Sequence, residues 1–372
     1  MPDFIPVNEP CLNGRERDYL IDCIDSGWIS SEGPFVERLE REFAGGCGRR
    51  HGIAVCNGSA ALDLAIAALR IGPGDEVILP SFTIISCAAA VVRAGATPVL
   101  VDSDPIHWNM DVAAIESRIS TRTRAIMVVH TYGLPTPMEP VLDLARRHGL
   151  RVIEDAAEAH GLKYRDQACG GFGDISTFSF YPNKHVTTGE GGMVLCDDEE
   201  LAARCRSLRN LAFEPERRFV HKELGWNFRM SNLQAAVGVA QLERLDEFVE
   251  RKRQMGQTYS NALSDLPLLQ LPLQATADAD NIYWVYGLVL DDRFPLDAAG
   301  AMAALRDRGI GTRPFFWPMH EQPVFLQRGL FAGERYPVAE KLARRGLYLP
   351  SGLGLTATQQ STVISAVREL CA

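Results

Sequence analysis

One lysine stands out among the residues that could do chemistry. Lys184 lies between the apolar run at residues 178–180 and the glycine-rich turn at 189–192, whereas the chain's other lysines have polar or charged neighbours. Burial in a semi-apolar pocket lowers the pKa of a lysine, because desolvation disfavours the ammonium form. The free amine could then form a Schiff base with a carbonyl such as that of pyridoxal phosphate (PLP). Apolar-flanked lysines are also common at surfaces, so the neighbouring motifs must decide.

A carboxylate precedes this lysine at the end of a predicted strand. Asp155 is the last residue of the predicted strand 151–155, and the carboxyl ends of strands are where ligand-facing residues of open α/β sheets collect. Such a carboxylate could pair with a pyridinium nitrogen and so maintain the electron sink of a PLP ring. The alternative is that Asp155 only caps a loop. Glu154 and Glu158 are nearby, and either could replace Asp155 as the carboxylate that pairs with the nitrogen.

A turn near the start of the chain is typical of phosphate binding. Gly58 permits a tight turn after the strand at 52–56, and Ser59 is a good N-cap for the helix predicted at 59–69. The N–H groups and positive dipole end of that helix would attract a phosphate, although many such turns merely cap helices. Ser179 could add a hydroxyl to the same phosphate.

The elements that must position these residues follow a regular order. Apolar strands alternate with helical patterns between about residues 50 and 200, which predicts a mainly parallel sheet covered on both faces. The predicted strands are 52–56, 76–80, 98–102, 125–130, 151–155 and 174–180, and a helix at 138–148 ends at Gly149.

The pattern changes beyond residue 240. A long charged helix is predicted at 242–263, followed by a strand at 283–290, a helix at 296–308 and a strand near Thr312. We therefore expect a large domain at residues 1–247 and a smaller α+β domain at 248–372.

Composition excludes several classes of protein. The net charge of -9 over 372 residues argues against nucleic-acid binding, and no apolar run approaches the ~20 residues that span a bilayer. Nine scattered cysteines without a C-x-x-C pair predict reduced thiols in a cytoplasmic protein and no zinc site or other metal. Nucleotide triphosphate loops, dinucleotide fingerprints and H-E-x-x-H are missing as well.

Among the histidines, His185 and His320 are the candidates for contact with substrate.

Together these motifs closely resemble the sugar aminotransferases of the DegT/DnrJ/EryC1/StrS family over nearly the whole chain. The resemblance implies an α/β fold of the aspartate-aminotransferase type (type I PLP), with a large domain and a smaller C-terminal one. The segments that carry it are 57–62, 72–78, 152–159, 183–193, 225–231 and 313–320.

The resemblance also implies roles for single residues. Lys184 would hold PLP covalently and act as the acid/base, and Asp155 would hold the pyridine nitrogen. Asn227 would reach the cofactor phosphate of the other subunit, which makes the expected enzyme a homodimer with shared active sites. The remaining cofactor-binding candidates are Gly58, Ser59, Ala60, Ile84, Glu158 and Ser179, of which Ile84 stands where relatives usually carry an aromatic residue.

Within the family, the chain resembles the members that make GDP-perosamine. That implies transfer of an amino group from L-glutamate to carbon 4 of GDP-4-keto-6-deoxy-mannose. The substrate-binding candidates are Trp28, Ser30, His185, Arg313 and His320. The alternatives are a UDP- or dTDP-linked ketosugar, an amino-octulosonate, a PLP-dependent sugar dehydratase and a catalytically silent regulatory relative. Lys184 argues against the dehydratase, because those relatives carry histidine at this position.

Overall fold

The computed structural model describes residues 4–214 and 216–371. The helices of these ranges are α1 (Glu16–Ser26), α2 (Pro34–Gly46), α3 (Gly58–Ala68), α4 (Ile85–Arg93), α5 (Met138–His148), α6 (Glu199–Arg209), α7 (Asn232–Leu242), α8 (Leu245–Leu263), α9 (Ala298–Asp307), α10 (Pro323–Leu326), α11 (Pro337–Arg345) and α12 (Ala357–Cys371). The strands are β1 (His51–Val55), β2 (Glu76–Pro80), β3 (Thr97–Val101), β4 (Thr123–Val129), β5 (Arg151–Asp155), β6 (Lys163–Tyr164), β7 (Gln167–Ala168), β8 (Ile175–Ser179), β9 (Gly192–Cys196), β10 (Leu269–Gln270), β11 (Tyr286–Leu290), β12 (Arg313–Pro314) and β13 (Gly346–Leu349).

A seven-stranded sheet forms the centre of the molecule, in the order β1-β9-β8-β5-β4-β2-β3. Five adjacent strands of the sheet run parallel to one another, namely β8, β5, β4, β2 and β3. Strand β9 is antiparallel to both of its neighbours. Every residue of β2 is buried, as expected for a parallel strand with both faces covered. The predicted α/β fold with a mainly parallel sheet is confirmed.

Local sequence explains where the elements around the site begin and end. The Asn57 side chain caps α3 by accepting from the N–H of Ala60 at 2.8 Å. Helix α5 ends where Gly149 adopts a φ of 64°, a left-handed conformation that glycine takes at little cost. The end of α5 at Gly149 is the predicted one, whereas the N-cap of α3 is Asn57 and not the predicted Ser59.

A second, four-stranded sheet has the order β10-β11-β13-β12 and is antiparallel throughout. It shares an apolar core with α8, α9 and α12. The long helix predicted at 242–263 is present as α8, which begins three residues later than predicted because Leu242 is the last residue of α7. The domain boundary at 247/248 therefore falls inside α8, and it stays a prediction.

The N-terminal segment packs against this second unit. The N–H of Gly311 donates to Ile5 O at 2.8 Å, and the N–H of Ser351 donates to Val7 O at 3.0 Å. The predicted division, which placed the segment with the large domain, did not anticipate these contacts.

Within the described residues, no helix combines the length and the apolarity needed to cross a membrane.

Candidate active site

A cavity of about 540 Å³ opens at the carboxyl ends of the central parallel strands. Segments far apart in the chain meet there, as expected for an open α/β sheet. The predicted residues that line it are Gly58, Ser59, Ile84, Asp155, Glu158, Ser179 and Lys184.

Lys184 presents its amino group to this cavity from the loop after β8. Its side chain is only 10% exposed, and Nζ lies 3.8 Å from Glu158 Oε1. Burial lowers the pKa of Lys184, while Glu158 and Asp155 oppose the shift by favouring the ammonium form. A buried amine with a lowered pKa is suited to nucleophilic attack on a carbonyl and to proton transfer.

Asp155 is buried at the end of β5, where each of its carboxylate oxygens accepts one hydrogen bond. Oδ1 accepts from the N–H of Ala157 at 3.1 Å, and Oδ2 accepts from Cys87 Sγ at 3.1 Å. Burial nevertheless raises the pKa of Asp155. A cationic ring nitrogen beside this carboxylate would offset the desolvation and keep it ionised.

The two glutamates near Asp155 have different places. Glu158 lines the cavity, accepts from the N–H of Tyr132 at 2.9 Å, and has its pKa raised to about 7 by burial. Glu154 points the other way, where it accepts from His130 Nε2 at 2.9 Å and from the N–H of Phe172 at 2.9 Å. Only Glu158 is therefore available to a ligand.

The opposite end of the cavity has the features of an anion site. A Cβ added to Gly58 would lie 2.7 Å from Ser179 Cβ, so glycine is what allows the first turn of α3 to approach β8. Ser59 Oγ lies 2.8 Å from Oγ of Ser86, and both face the cavity. The first N–H groups of a helix have no intrahelical acceptor, which leaves them free for a phosphate.

The N–H of Ala60 is already bound to Asn57 Oδ1, so Ala60 supports the turn and does not line the cavity.

These features together fit PLP. The cavity holds a buried amine, a buried carboxylate and an anion cradle, and two buried polar atoms of its wall, Thr177 Oγ1 and Asn183 Oδ1, have no partner in the described part of the chain. Asp155 would hold the ring nitrogen, Gly58, Ser59 and Ser179 the phosphate, and Lys184 the aldehyde carbon. When bound, PLP supplies a ring that withdraws the electron pair left on a neighbouring carbon.

Two predicted substrate residues are not at the cavity. His185 is buried beneath the lysine loop, where Nε2 donates to Ile282 O at 3.2 Å. His320 is buried between Ser81, whose Oγ lies 2.8 Å from Nδ1, and Glu340, whose Oε1 lies 3.2 Å from Nε2. Neither histidine lines the cavity formed by one chain. Each ring has a polar partner inside the protein, although His185 Nδ1 has none in the described part of the chain, and contact with substrate stays a prediction.

The other predicted site residues lie on the surface of the chain. Trp28, Ser30, Asn227 and Arg313 are exposed and do not line the cavity formed by one chain. Their roles toward substrate or toward a second subunit stay predictions.

Sequence reasoning missed several residues of the site. Cys87 contacts Asp155, and Trp284 covers the Lys184 amino group with its ring. Ser86, Phe316 and Tyr348 also line the cavity. Ser86 lies two positions after Ile84, and Phe316 lies within the segment 313–320 that carries the family resemblance, so both could have been found; Cys87, Trp284 and Tyr348 lie in none of the quoted segments.

Comparison with known proteins now identifies the family. The model of the DegT/DnrJ/EryC1/StrS aminotransferase family matches residues 10–368. The chain belongs to this family. It is 44% identical over 366 residues to a GDP-perosamine synthase of Caulobacter vibrioides and 40% identical over 366 residues to one of Escherichia coli, in each case across 98% of both proteins. The crystal structure of the aminotransferase TlmJ from Streptoalloteichus hindustanus superposes with a TM-score of 0.92 at 31% identity, across 98% of both chains.

Family membership confirms the main functional predictions. The chain is a PLP-dependent sugar aminotransferase, with the fold that the resemblance implied. Which sugar it aminates is a separate question.

Proposed function

We propose that this enzyme transfers an amino group from L-glutamate to carbon 4 of GDP-4-keto-6-deoxy-D-mannose and so forms GDP-perosamine. The observation that carries the proposal is the identity of 40–44% with two enzymes named GDP-perosamine synthase, over 98% of their length. The buried amine and carboxylate in one cavity supply the groups that transamination requires.

The residues of the cavity have separate roles in proton transfer and in cofactor binding. Lys184 Nζ removes the proton from the α carbon of glutamate and, in the second half of the reaction, gives a proton to sugar carbon 4. Its lowered pKa increases the fraction of the amine that is free to accept a proton. Asp155 keeps the cofactor's ring nitrogen protonated, while the anion cradle fixes the opposite end.

The enzyme is proposed to work as a homodimer with shared active sites. Large apolar side chains are exposed beside the cavity and beside Asn227, among them Ile84 at 40%, Ile85 at 37% and Leu224 at 91%. An apolar surface of this kind is typical of a protein interface. In this dimer, Asn227 of each subunit reaches the cofactor phosphate of the other.

A cytoplasmic location is part of the proposal. All nine cysteines are free, and several of them are buried. Free buried thiols support a reducing compartment.

The substrate is tested with purified enzyme and a panel of nucleotide ketosugars. We expect a visible cofactor band that glutamate bleaches, and GDP-4-keto-6-deoxy-mannose should restore it while UDP- and dTDP-linked ketosugars do not. Lys184→Ala serves as the control and should neither show this band nor form product. Restoration by a UDP- or dTDP-linked ketosugar instead would overturn the GDP assignment, and a band that ignores glutamate would overturn the amino donor.

The shared site is tested by mixing two inactive variants. Lys184→Ala and Asn227→Ala dimers are each expected to be nearly inactive. If the site is shared, subunit exchange rebuilds one intact site in each mixed dimer, or about a quarter of all sites in an equal mixture. No recovery of activity after verified exchange would show that Asn227 serves its own subunit.

A further inference from the structure

Trp284 forms the wall of the cavity that faces the Lys184 amino group. The centroid of its ring lies 3.7 Å from Lys184 Nζ, and only 4% of the residue is exposed. The negative face of an indole ring attracts an ammonium group at this distance, and the attraction is stronger where water is excluded. The contact therefore favours the protonated form of the amine.

Hydrogen bonds on both sides hold Trp284 in this orientation. Its Nε1 donates to Asn183 O at 2.8 Å, and its own carbonyl accepts from the buried Lys252 Nζ at 2.9 Å. The Tyr132 ring packs 5.8 Å away from the indole. Because Asn183 O belongs to the peptide that leads into Lys184, the indole contacts both the main chain and the amino group of this lysine.

The charges of the acidic neighbours of Lys184 depend on pH, whereas the attraction of the Trp284 ring for a cation does not. Glu158 Oε1 lies 3.8 Å from Nζ, and burial raises the pKa of Glu158 to about 7. Asp155, the Cys87 thiol and the buried rings of His160 and His185 are further titratable groups near the amine. A protonated Glu158 no longer stabilises an ammonium group electrostatically, but the face of Trp284 still does.

We propose that Trp284 is a positioning residue for Lys184, which holds the amino group at a fixed point of the cavity wall once this group has taken a proton and become an ammonium ion. An amine that has taken a proton from one carbon atom then stays where it can deliver this proton to the next carbon atom. The inference rests on the proposed function in one respect, namely that Lys184 carries the proton.

The test measures the pKa of the Lys184 amine in the holoenzyme after excess glutamate has released it from the cofactor. Competitive acetylation over a range of pH, followed by peptide mass spectrometry, reports this pKa residue by residue. In Trp284→Leu the pKa should fall by about one unit, a tenfold change in protonation equilibrium, and in Trp284→Phe by less. The kcat should fall about tenfold in Trp284→Leu while the KM for glutamate changes little.

Trp108→Leu is the matched control. Trp108 is 3% exposed, and its ring also packs near Tyr132, at 6.5 Å, but it does not line the cavity. We expect Trp108→Leu to lose stability without moving the pKa of Lys184. An unchanged pKa in Trp284→Leu, or an equal shift in Trp108→Leu, would overturn the proposal. Should Trp284→Leu not fold, Trp284→Phe decides, because loss of ring area alone must still lower the pKa.

Failure of this inference can be told apart from failure of the proposed function. If glutamate does not release Lys184, the proposed amino donor is wrong. The same titration is then made after hydroxylamine has released the lysine, so the role of Trp284 is judged independently of donor and sugar.

Discussion

Cys87 Sγ lies 3.1 Å from Asp155 Oδ2, so a thiol on α4 donates to the carboxylate at the end of β5. Both residues are buried, at 0% and 2% exposure. Burial and the nearby carboxylate raise the pKa of the thiol well above its usual range. The thiol therefore stays protonated and remains a donor, which lowers the pKa of Asp155 against the effect of burial.

Removing this thiol should weaken cofactor binding. Cys87→Ala deletes one donor to a buried carboxylate, which raises the pKa of Asp155 and costs about 1 kcal/mol, or roughly a fivefold weaker PLP dissociation constant. Cys87→Ser keeps a donor in the same place and should bind nearly as well as the unaltered protein. Equilibrium dialysis measures both constants, and equal affinity of Cys87→Ala and the parent would contradict the assigned role.

Substitution of Gly58 should damage the anion cradle. A Cβ in Gly58→Ala would lie 2.7 Å from Ser179 Cβ and 3.1 Å from its Oγ. Either α3 or β8 must shift, so we expect PLP affinity to fall by about tenfold or more. Gly45→Ala in α2 is the control, because a Cβ there meets nothing within 4 Å. The idea fails if Gly58→Ala binds PLP as tightly as Gly45→Ala.

His320 should matter for stability and not for substrate binding. His320→Ala would leave Ser81 Oγ without a buried partner and remove one of the donors to Glu340, which keeps Arg335 and the N–H of Tyr336, so it should cost about 2 kcal/mol in the free energy of unfolding. The KM for the nucleotide sugar should not change. Arg313→Ala, at an exposed predicted substrate residue, should give the reverse result. Urea unfolding and steady-state kinetics compare the two variants, and a raised KM in His320→Ala without loss of stability would restore its substrate role.

The buried Lys252 should make the stability of the protein depend on pH. Its Nζ donates to Trp284 O and to Ser351 O, and burial lowers its pKa from 10.5 to about 7. For a depressed lysine, stability is highest above the unfolded pKa and is lost as pH falls toward the folded pKa. The free energy of unfolding should therefore decrease between about pH 10 and pH 7, by at most about 1.4 kcal/mol per pH unit.

Two lysine variants check this slope. Lys252→Met should remove it, whereas Lys341→Met should keep it, because Lys341 is an exposed lysine paired with Asp292 at 2.9 Å. Urea unfolding at several pH values supplies the measurement. A Lys252→Met protein with the parent's pH dependence would show that Lys252 is not the titrating group.

The amino-acid sequence by itself determined the alternation of strands and helices, the phosphate turn, and the order of Gly58, Asp155 and Lys184. These signals are local: Gly149 ends α5 because its backbone is left-handed there, and the adjacent β-branched residues Val152 and Ile153 favour the extended backbone of β5. The family resemblance made Ile84 and Glu158 cofactor-binding candidates, and both line the cavity.

Only the tertiary structure decided which distant side chains complete the site. Trp284 is 100 positions from Lys184, and Cys87 is 68 positions from Asp155, yet each pair is in contact. It also decided that His185 and His320 face polar partners in the interior. The physical reason is that hydrophobic periodicity and turn residues specify single elements, whereas contacts between elements depend on how the sheet and its helices pack.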